Sequence, residues 1–236
     1  MLALLLAASL LRTVSLQGDT HHVQGIAVDE GLLFVTSVDR AARKGFLSLY
    51  DLQSGRLLRS VELQQGALFH PGGFDLDDSS LWIPVAEYRP ASRAVIQRRS
   101  KQNLDLLSSF EIPDHIGALA LSPSSLTLVN WDARTFYTCS LDGKILLKRP
   151  NPNPTRYQDL KFRYGALVAS GLWPKPHKGG AVEWLDPETL APLQSVPFAL
   201  TDRGTPFTNE GMDLRDGMLY LLPEDAPSRL FVFSLN

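Results

Sequence analysis

The chain carries one cysteine, Cys139, in 236 residues, so no internal disulfide can form. In the run TFYTCSL, Cys139 alternates with Tyr137 and Leu141, which places Cys139 on the buried face of a strand. The thiol is read as a small core residue rather than a nucleophile. Charge of one sign is also scarce. The net charge is −2, and the short basic cluster Arg98-Arg99-Ser100-Lys101 falls at a turn, so capture of a nucleic-acid backbone is not expected. Met1–Leu11 is apolar but shorter than the ~20 residues a bilayer span needs. There is no glycine-rich phosphate loop, no zincin helix motif and no nucleophile elbow. Asn153-Pro154-Thr155 fails as a glycosylation signal because proline holds its middle position.

What the chain does have is a repeat. Aligned on the residue that opens each first strand, five segments superpose: HVQGIAVDEGLLFVTSV from His22, HPGGFDLDDSSLWIPVA from His70, HIGALALSPSSLTLVNW from His115, RYQDLKFRYGALVASGL from Arg156 and TNEGMDLRDGMLYLLPE from Thr208. The spacing of roughly 40–50 residues is that of a four-stranded propeller blade. Two more strand-like runs follow most anchors, for example Phe46–Leu52 and Arg56–Leu63, or Phe136–Leu141 and Lys144–Lys148 around an Asp142-Gly143 turn. The last unit holds only three strands, Gly211–Leu214, Met218–Leu222 and Leu230–Phe233. Its missing fourth strand is found at the N-terminus, where Leu10–Gln17 (LLRTVSLQ) matches Leu57–Gln64 (LLRSVELQ). The expected architecture is all-β, a five-bladed β-propeller closed by an N-terminal strand that completes the C-terminal blade, which also removes an open sheet edge. Residues 10–236 form one propeller domain with blade entries near 22, 70, 115, 156 and 208. Residues 1–9 are either the remnant of a shortened signal peptide, cleaved near Ser9, or an apolar lead-in to the closing strand.

The topology divides the loops between two faces. The connections within the outer and inner hairpins are terse turns: Glu30-Gly31, Asp78-Ser79, Ser124-Ser125, Tyr164-Gly165 and Asp216-Gly217. The blade entries and the second-to-third-strand exits lie on the opposite face and are rich in His, acids and aromatics, so function is expected on that rim. Its leading candidates are His22, His70 and His115, each at the same place before its strand. With Glu210 they suit a divalent metal, Zn, Mn or Fe. Such histidines serve equally well as hydrogen-bonding groups for a substrate or for a neighbouring loop, and both readings stand. Glu210, Glu87 and Asp159 are the candidate catalytic acids, with Asp132 and Glu224 on the same rim; a pair of acids suits general acid–base work. The same acids near Arg40, Arg89, Arg134 and Arg203 can instead be ion pairs between blades. Tyr88 and Trp131 can stack on a ring or cover the core. Gln24, Arg89, Asp132, Gln158 and Asn209 complete the ligand-binding candidates. The Lys175-Pro-His-Lys-Gly-Gly run reads as a flexible loop or lid.

The motifs HHVQGIAVD, TSVDRAARKGFL, HPGGFDLD, PVAEYRP, DHIGALA, NWDAR, YQDLKF, NEGM and LPEDAPSRLFVF together resemble a bacterial family of uncharacterised propeller-like proteins, a domain of unknown function. The resemblance covers nearly the whole chain. It implies a propeller and export, and no activity. That family has THEGM at the last entry where this chain has Asn209, a departure at one position of the histidine ring. Gln24-Gly25 and Glu210-Gly211 are similar to strand entries of the five-bladed glutamine cyclotransferases, which cyclise N-terminal glutamine with polar channel residues. Fold analogy does not by itself transfer that activity. The expected function is a polar site at the channel mouth: a hydrolase, lyase or cyclase acting on a small polar substrate, a non-catalytic carbohydrate- or peptide-binding module, or a protein-interaction scaffold. A monomer is expected, secreted or periplasmic, with the cytoplasm left open.

Overall fold

The computed structural model describes residues 7–235. Strand β1 (Ala8–Ser15) opens it. Blade 1 follows as β2 (His22–Asp29), β3 (Leu32–Asp39), β4 (Lys44–Asp51) and β5 (Leu57–Glu62). Blade 2 is β6 (Leu68–Pro71), β7 (Asp75–Leu76), β8 (Ser80–Glu87), β9 (Ala94–Ser100) and β10 (Leu106–Ile112). Blade 3 is β11 (Ile116–Leu121), β12 (Ser125–Asn130), β13 (Thr135–Ser140) and β14 (Ile145–Pro150); a short 3-10 turn, Trp131–Ala133, separates β12 from β13. Blade 4 is β15 (Arg156–Arg163), β16 (Ala166–Leu172), β17 (Gly180–Leu185) and β18 (Pro192–Phe198). Blade 5 is β19 (Glu210–Arg215), β20 (Met218–Pro223) and β21 (Arg229–Leu235), completed by β1. The fold is a five-bladed β-propeller. No helix among the described residues is long and apolar enough to cross a membrane.

Closure is as expected: β1 runs antiparallel to β21, with Leu10 opposite Phe233 and Val14 opposite Leu230. The apolar faces of adjacent blades pack against each other. Between blades 5 and 1, for instance, Val14, Tyr220 and Leu230 meet Val23, Ile26 and Tyr50. The first six residues, on which the signal-peptide expectation chiefly falls, lie outside the described residues. Leu141 does not share the buried face of Cys139. It lies past the end of β13, in the turn, and is 39% exposed.

Every outermost strand carries a β-bulge, and at each one a leucine is left out of the pairing: Leu11, Leu58, Leu107, Leu146 and Leu193. All five are exposed. A bulge bends and twists an edge strand so that it offers no flat template to another chain.

At the axis, three inner-strand carboxylates tie neighbouring blades together. Asp75 accepts from the N–H groups of Leu121 (3.1 Å) and Phe162 (3.3 Å), Asp159 from Ile26 (3.2 Å) and Met212 (3.0 Å), and Asp213 from Val28 (2.7 Å). Arg163 bridges Asp75 and Asp213 at 2.9 Å each, and Lys161 meets Asp159 at 2.6 Å. Burial pushes the Asp159 carboxyl up to about 6, against the pull of the Lys161 ammonium. Gly72 and Gly73 interrupt the innermost strand of blade 2, between β6 and β7. There the backbone joins blade 3 directly: Gly73 N–H donates to Gly117 O at 2.9 Å, and Leu119 N–H to Gly73 O at 3.0 Å.

Candidate functional site

Each innermost strand begins on the same face, so the residues at its start converge. His22 opens β2, His70 lies in β6, His115 precedes β11, Tyr157 and Gln158 lie near the start of β15, and Glu210 opens β19. Together with Gln24, Tyr88, Trp131 and Asp132 they line one cavity of about 170 Å³ at the channel mouth. The ionic network of Asp75, Arg163, Asp213, Asp159 and Lys161 lies deeper on the inner strands and forms no part of its lining.

One wall is aromatic. The His70 ring stands 4.3 Å from Tyr88 at 69° and 5.3 Å from His115, and Trp131 meets His115 edge-on at 4.7 Å. The Arg40 guanidinium lies 5.5 Å over the Tyr88 ring from the neighbouring blade. His115 is buried, and its Nδ1 donates to the Glu87 carbonyl oxygen at 2.9 Å, which leaves Nε2 as the lone-pair nitrogen. His70 is buried, and its Nδ1 has no hydrogen-bond partner. Burial lowers the pKa of both imidazoles; for His70 the neighbouring His115, His22 and Arg40 lower it further. Both rings are neutral near pH 7.

Opposite stands Glu210. Its φ is +97°, a backbone conformation that costs a non-glycine residue about 1–3 kcal/mol. It is 8% exposed, and its carboxylate makes no hydrogen bond within the described residues. Burial, and then the charge of Glu224, raise its pKa well above the usual carboxylate range.

The profile of a family described as "Family of unknown function (DUF6454)" matches residues 9–163, most of the chain. The chain belongs to this family. Comparison with curated proteins finds no match. Among solved structures, the glutaminyl cyclase of Myxococcus xanthus superposes with a TM-score of 0.72 at 16% identity, over 98% of this chain and 97% of that one. The WD40 domain of Neurospora crassa Pan2 gives a TM-score of 0.51 at 13% identity, over 86% of this chain and 56% of that one. At these identities the likeness is one of fold. The DUF6454 match ends within β15, so Glu210 lies outside the matched stretch.

In this DUF6454 chain the three histidines do not gather as one set. His70 and His115 come together, while His22 stands with Glu210 and Glu224, whose ligand atoms and its own all lie within 4.8 Å of one another. Of the groups of three or more such side chains within the described residues, this is the one with the reach to hold a cation. The expected trio of imidazoles does not close to that distance. Glu224 lies 2.6 Å from His22 Nδ1 but off the line of a ring N–H, so the contact is electrostatic rather than an aligned hydrogen bond. His22 holds the Glu224 carboxyl below the usual range.

Four candidates lie elsewhere. Glu87 is held by Arg89 at 2.7 Å and Arg93 at 3.3 Å outside the cavity lining; Glu87 is partly buried and Arg89 exposed. These pairs, and Arg134–Asp132, form within one blade, because exit-loop residues meet their nearest sequence neighbours; Asp132 also meets Arg156 of blade 4 at 3.9 Å, an ion pair between blades. Asp159 sits in the axial network, since its strand position points inward below the mouth. Asn209 is absent from the cavity lining, and its hydrogen bonds are made by its backbone, including acceptance from Glu224 N–H at 3.2 Å. Tyr157 and Asn130 line the cavity and were not among the candidates. Tyr157 reads in sequence as an ordinary inward strand residue. Glu224 follows the second strand of its blade much as Glu87 does, and the repeat frame is the signal that marks it.

Proposed function

We propose that the protein is an enzyme that moves protons at a small polar substrate held in the mouth cavity, with Glu210 as the proton-carrying carboxyl. The observation that carries this reading is Glu210 itself: buried, without a hydrogen-bond partner, facing the cavity and held at φ +97°. A strained backbone and a largely buried carboxyl with no hydrogen-bond partner among the described residues are both costly, and such costs persist where a reaction uses them. Neutral His70 and His115 serve as hydrogen-bonding groups to the substrate, and Tyr88 and Trp131 cover its apolar part. The cavity of about 170 Å³ suits a group the size of one amino-acid side chain with its amine.

The fold shared with a glutaminyl cyclase makes cyclisation of an N-terminal glutamine the first reaction to try. In that reaction the α-amine nitrogen bonds to the side-chain amide carbon, and the carbon–nitrogen bond to the amide NH2 breaks. Glu210 takes the proton from the amine and returns it to the departing nitrogen, which leaves as ammonia. The test measures ammonia release from glutaminyl dipeptides, followed by a panel of small amides, esters and glycosides. Glu210→Gln should lower turnover about 10²–10⁴-fold with little change in binding. If the panel binds and nothing turns over, the enzyme reading fails.

A second reading is a binding module for a carbohydrate or peptide. It is favoured by the Tyr88–His70–Trp131 wall, which can cover a sugar or side-chain face without chemistry. Metal analysis of purified protein adds a further check. Stoichiometric zinc that is lost in both Glu210→Gln and Glu224→Gln reassigns Glu210 from proton carrier to ligand.

A further inference from the structure

The mouth cavity does not stand alone. Asp132 lines both it and a second cavity of about 300 Å³, and Arg156 joins that second cavity to a third of about 540 Å³ under the Trp173–Gly179 loop. The three therefore follow one another across the rim from the axis over blades 3 and 4. Asp132 is the last acid on the way out: no Asp or Glu lines the third cavity, whereas Arg156, Lys175 and Lys178 do. Lys175 and Lys178 are exposed, and no ion pair engages either of them within the described residues. Between these cations the lining is apolar, with Trp173, Leu172, Leu200 and Pro206. His177 is the one other polar side chain of this third cavity, while the second carries Asn151, Asn153 and Thr155.

We propose that this track binds the body of an acidic peptide whose terminal residue occupies the mouth cavity. The inference rests on the proposed function for the position of the reacting end, and it extends that function by naming the substrate class. Carboxylate side chains of the peptide pair with Lys175 and Lys178, and its aliphatic side chains lie on Trp173 and Leu200. An acidic glycan offers the same charge, but the third cavity, where the lysines stand, gives it a floor of Trp173, Leu172, Leu200 and Pro206 that suits aliphatic side chains rather than rows of hydroxyls. Exposed cations beside an apolar floor discriminate by charge, and their effect weakens with salt.

The test is fluorescence anisotropy with two labelled hexapeptides, one alternating Glu and Leu and one alternating Lys and Leu, at low and high salt. Full-length Glu210→Gln protein is used so that binding is read without turnover. The acidic peptide should bind at least about tenfold more tightly at low salt, and the preference should shrink as salt rises. Lys175→Glu/Lys178→Glu, two changes on an exposed loop, should abolish it while leaving turnover of small glutaminyl dipeptides unchanged. Equal binding of the two peptides overturns the proposal. Preferential binding of an oligouronate over the acidic peptide also overturns it and assigns the groove to a glycan. Absence of dipeptide turnover by the parent protein, with the acidic-peptide preference present, would instead strike the enzyme reading and leave the groove standing.

Discussion

Lys161 and Asp159 stand two positions apart on β15 and so point to the same side of the strand; their charged atoms meet 2.6 Å apart with neither side chain exposed. The same carboxylate accepts N–H groups from β2 and from β19, so one residue of blade 4 ties blades 1 and 5 to the axis. Removing one partner of a buried pair leaves an uncompensated charge, at a cost of about 3–5 kcal/mol. Lys161→Met should lose that much stability in urea unfolding. Asp159→Ala should be as costly, because three buried N–H groups, those of Ile26, Met212 and Leu160, lose their acceptor. A loss below about 1 kcal/mol for either variant would contradict the role given to this hub.

Glu210→Gly should raise stability by about 1 kcal/mol while abolishing any activity. Glycine accepts φ +97° without strain, and the deleted side chain faces a cavity rather than packed core. Thermal unfolding of the variant beside the parent reads the sign. A destabilised Glu210→Gly would show that the carboxyl supports the fold and is not held against it.

His70 and His115 carry folded pKa values below the unfolded value of about 6.5, with burial as the first cause. The folded state therefore binds fewer protons than the unfolded state. The stability this contributes is fully present above about pH 6.5 and is lost progressively as pH falls below it. Unfolding measured from pH 7.5 to 5 should show a decline that is shallower in His70→Gln. Imidazole carbon-bound proton shifts should show His70 titrating below the unfolded value of about 6.5.

Gly72→Ala should unfold the protein or cost more than about 3 kcal/mol. The added Cβ would lie 2.0 Å from the carbonyl oxygen of Gly117 on the next blade. Gly31→Ala is the contrast: the new methyl meets nothing within 4 Å, and only the φ of +79° is strained, a cost of about 1 kcal/mol. Urea midpoints of the two variants make the comparison, and equal losses would refute the claim that backbone contact between blades is the constraint at Gly72.

Leu146→Lys, and the equivalent change at any other bulged leucine, should alter stability by less than about 0.5 kcal/mol, because the side chain is outside the ladder and exposed. Denaturant midpoints test this directly. A loss above 1 kcal/mol would mean that the leucine packs on its blade.

Much of this protein was legible in the chain because blade grammar is local. Alternating apolar residues, a turn at Asp142-Gly143 and the match of LLRTVSLQ to LLRSVELQ are short-range patterns, and they were sufficient for five blades and for the pairing of β1 with β21. The histidine-bearing entries were placed correctly on one rim for the same reason: strand direction alone decides the face. Which side chains then meet was not local. His22 turned to Glu224 rather than to His70, Asp159 went into the axial hub rather than the cavity, and Glu87 was taken up by Arg89 and Arg93. Each outcome depends on rotamers and on the rotation between neighbouring blades, quantities that a repeat of period near 45 residues does not encode. The strain at Glu210 has the same origin. It arises where the entry loop of blade 5 must join a strand whose position is already set by Asp159 and Ile26, and no propensity of the segment NEGM announces it. The sequence by itself determined the ring and its polar face; the tertiary structure alone decided which side chains on that face meet and which, among the described residues, have no hydrogen-bond partner, because that choice is made by contacts between blades far apart in the chain.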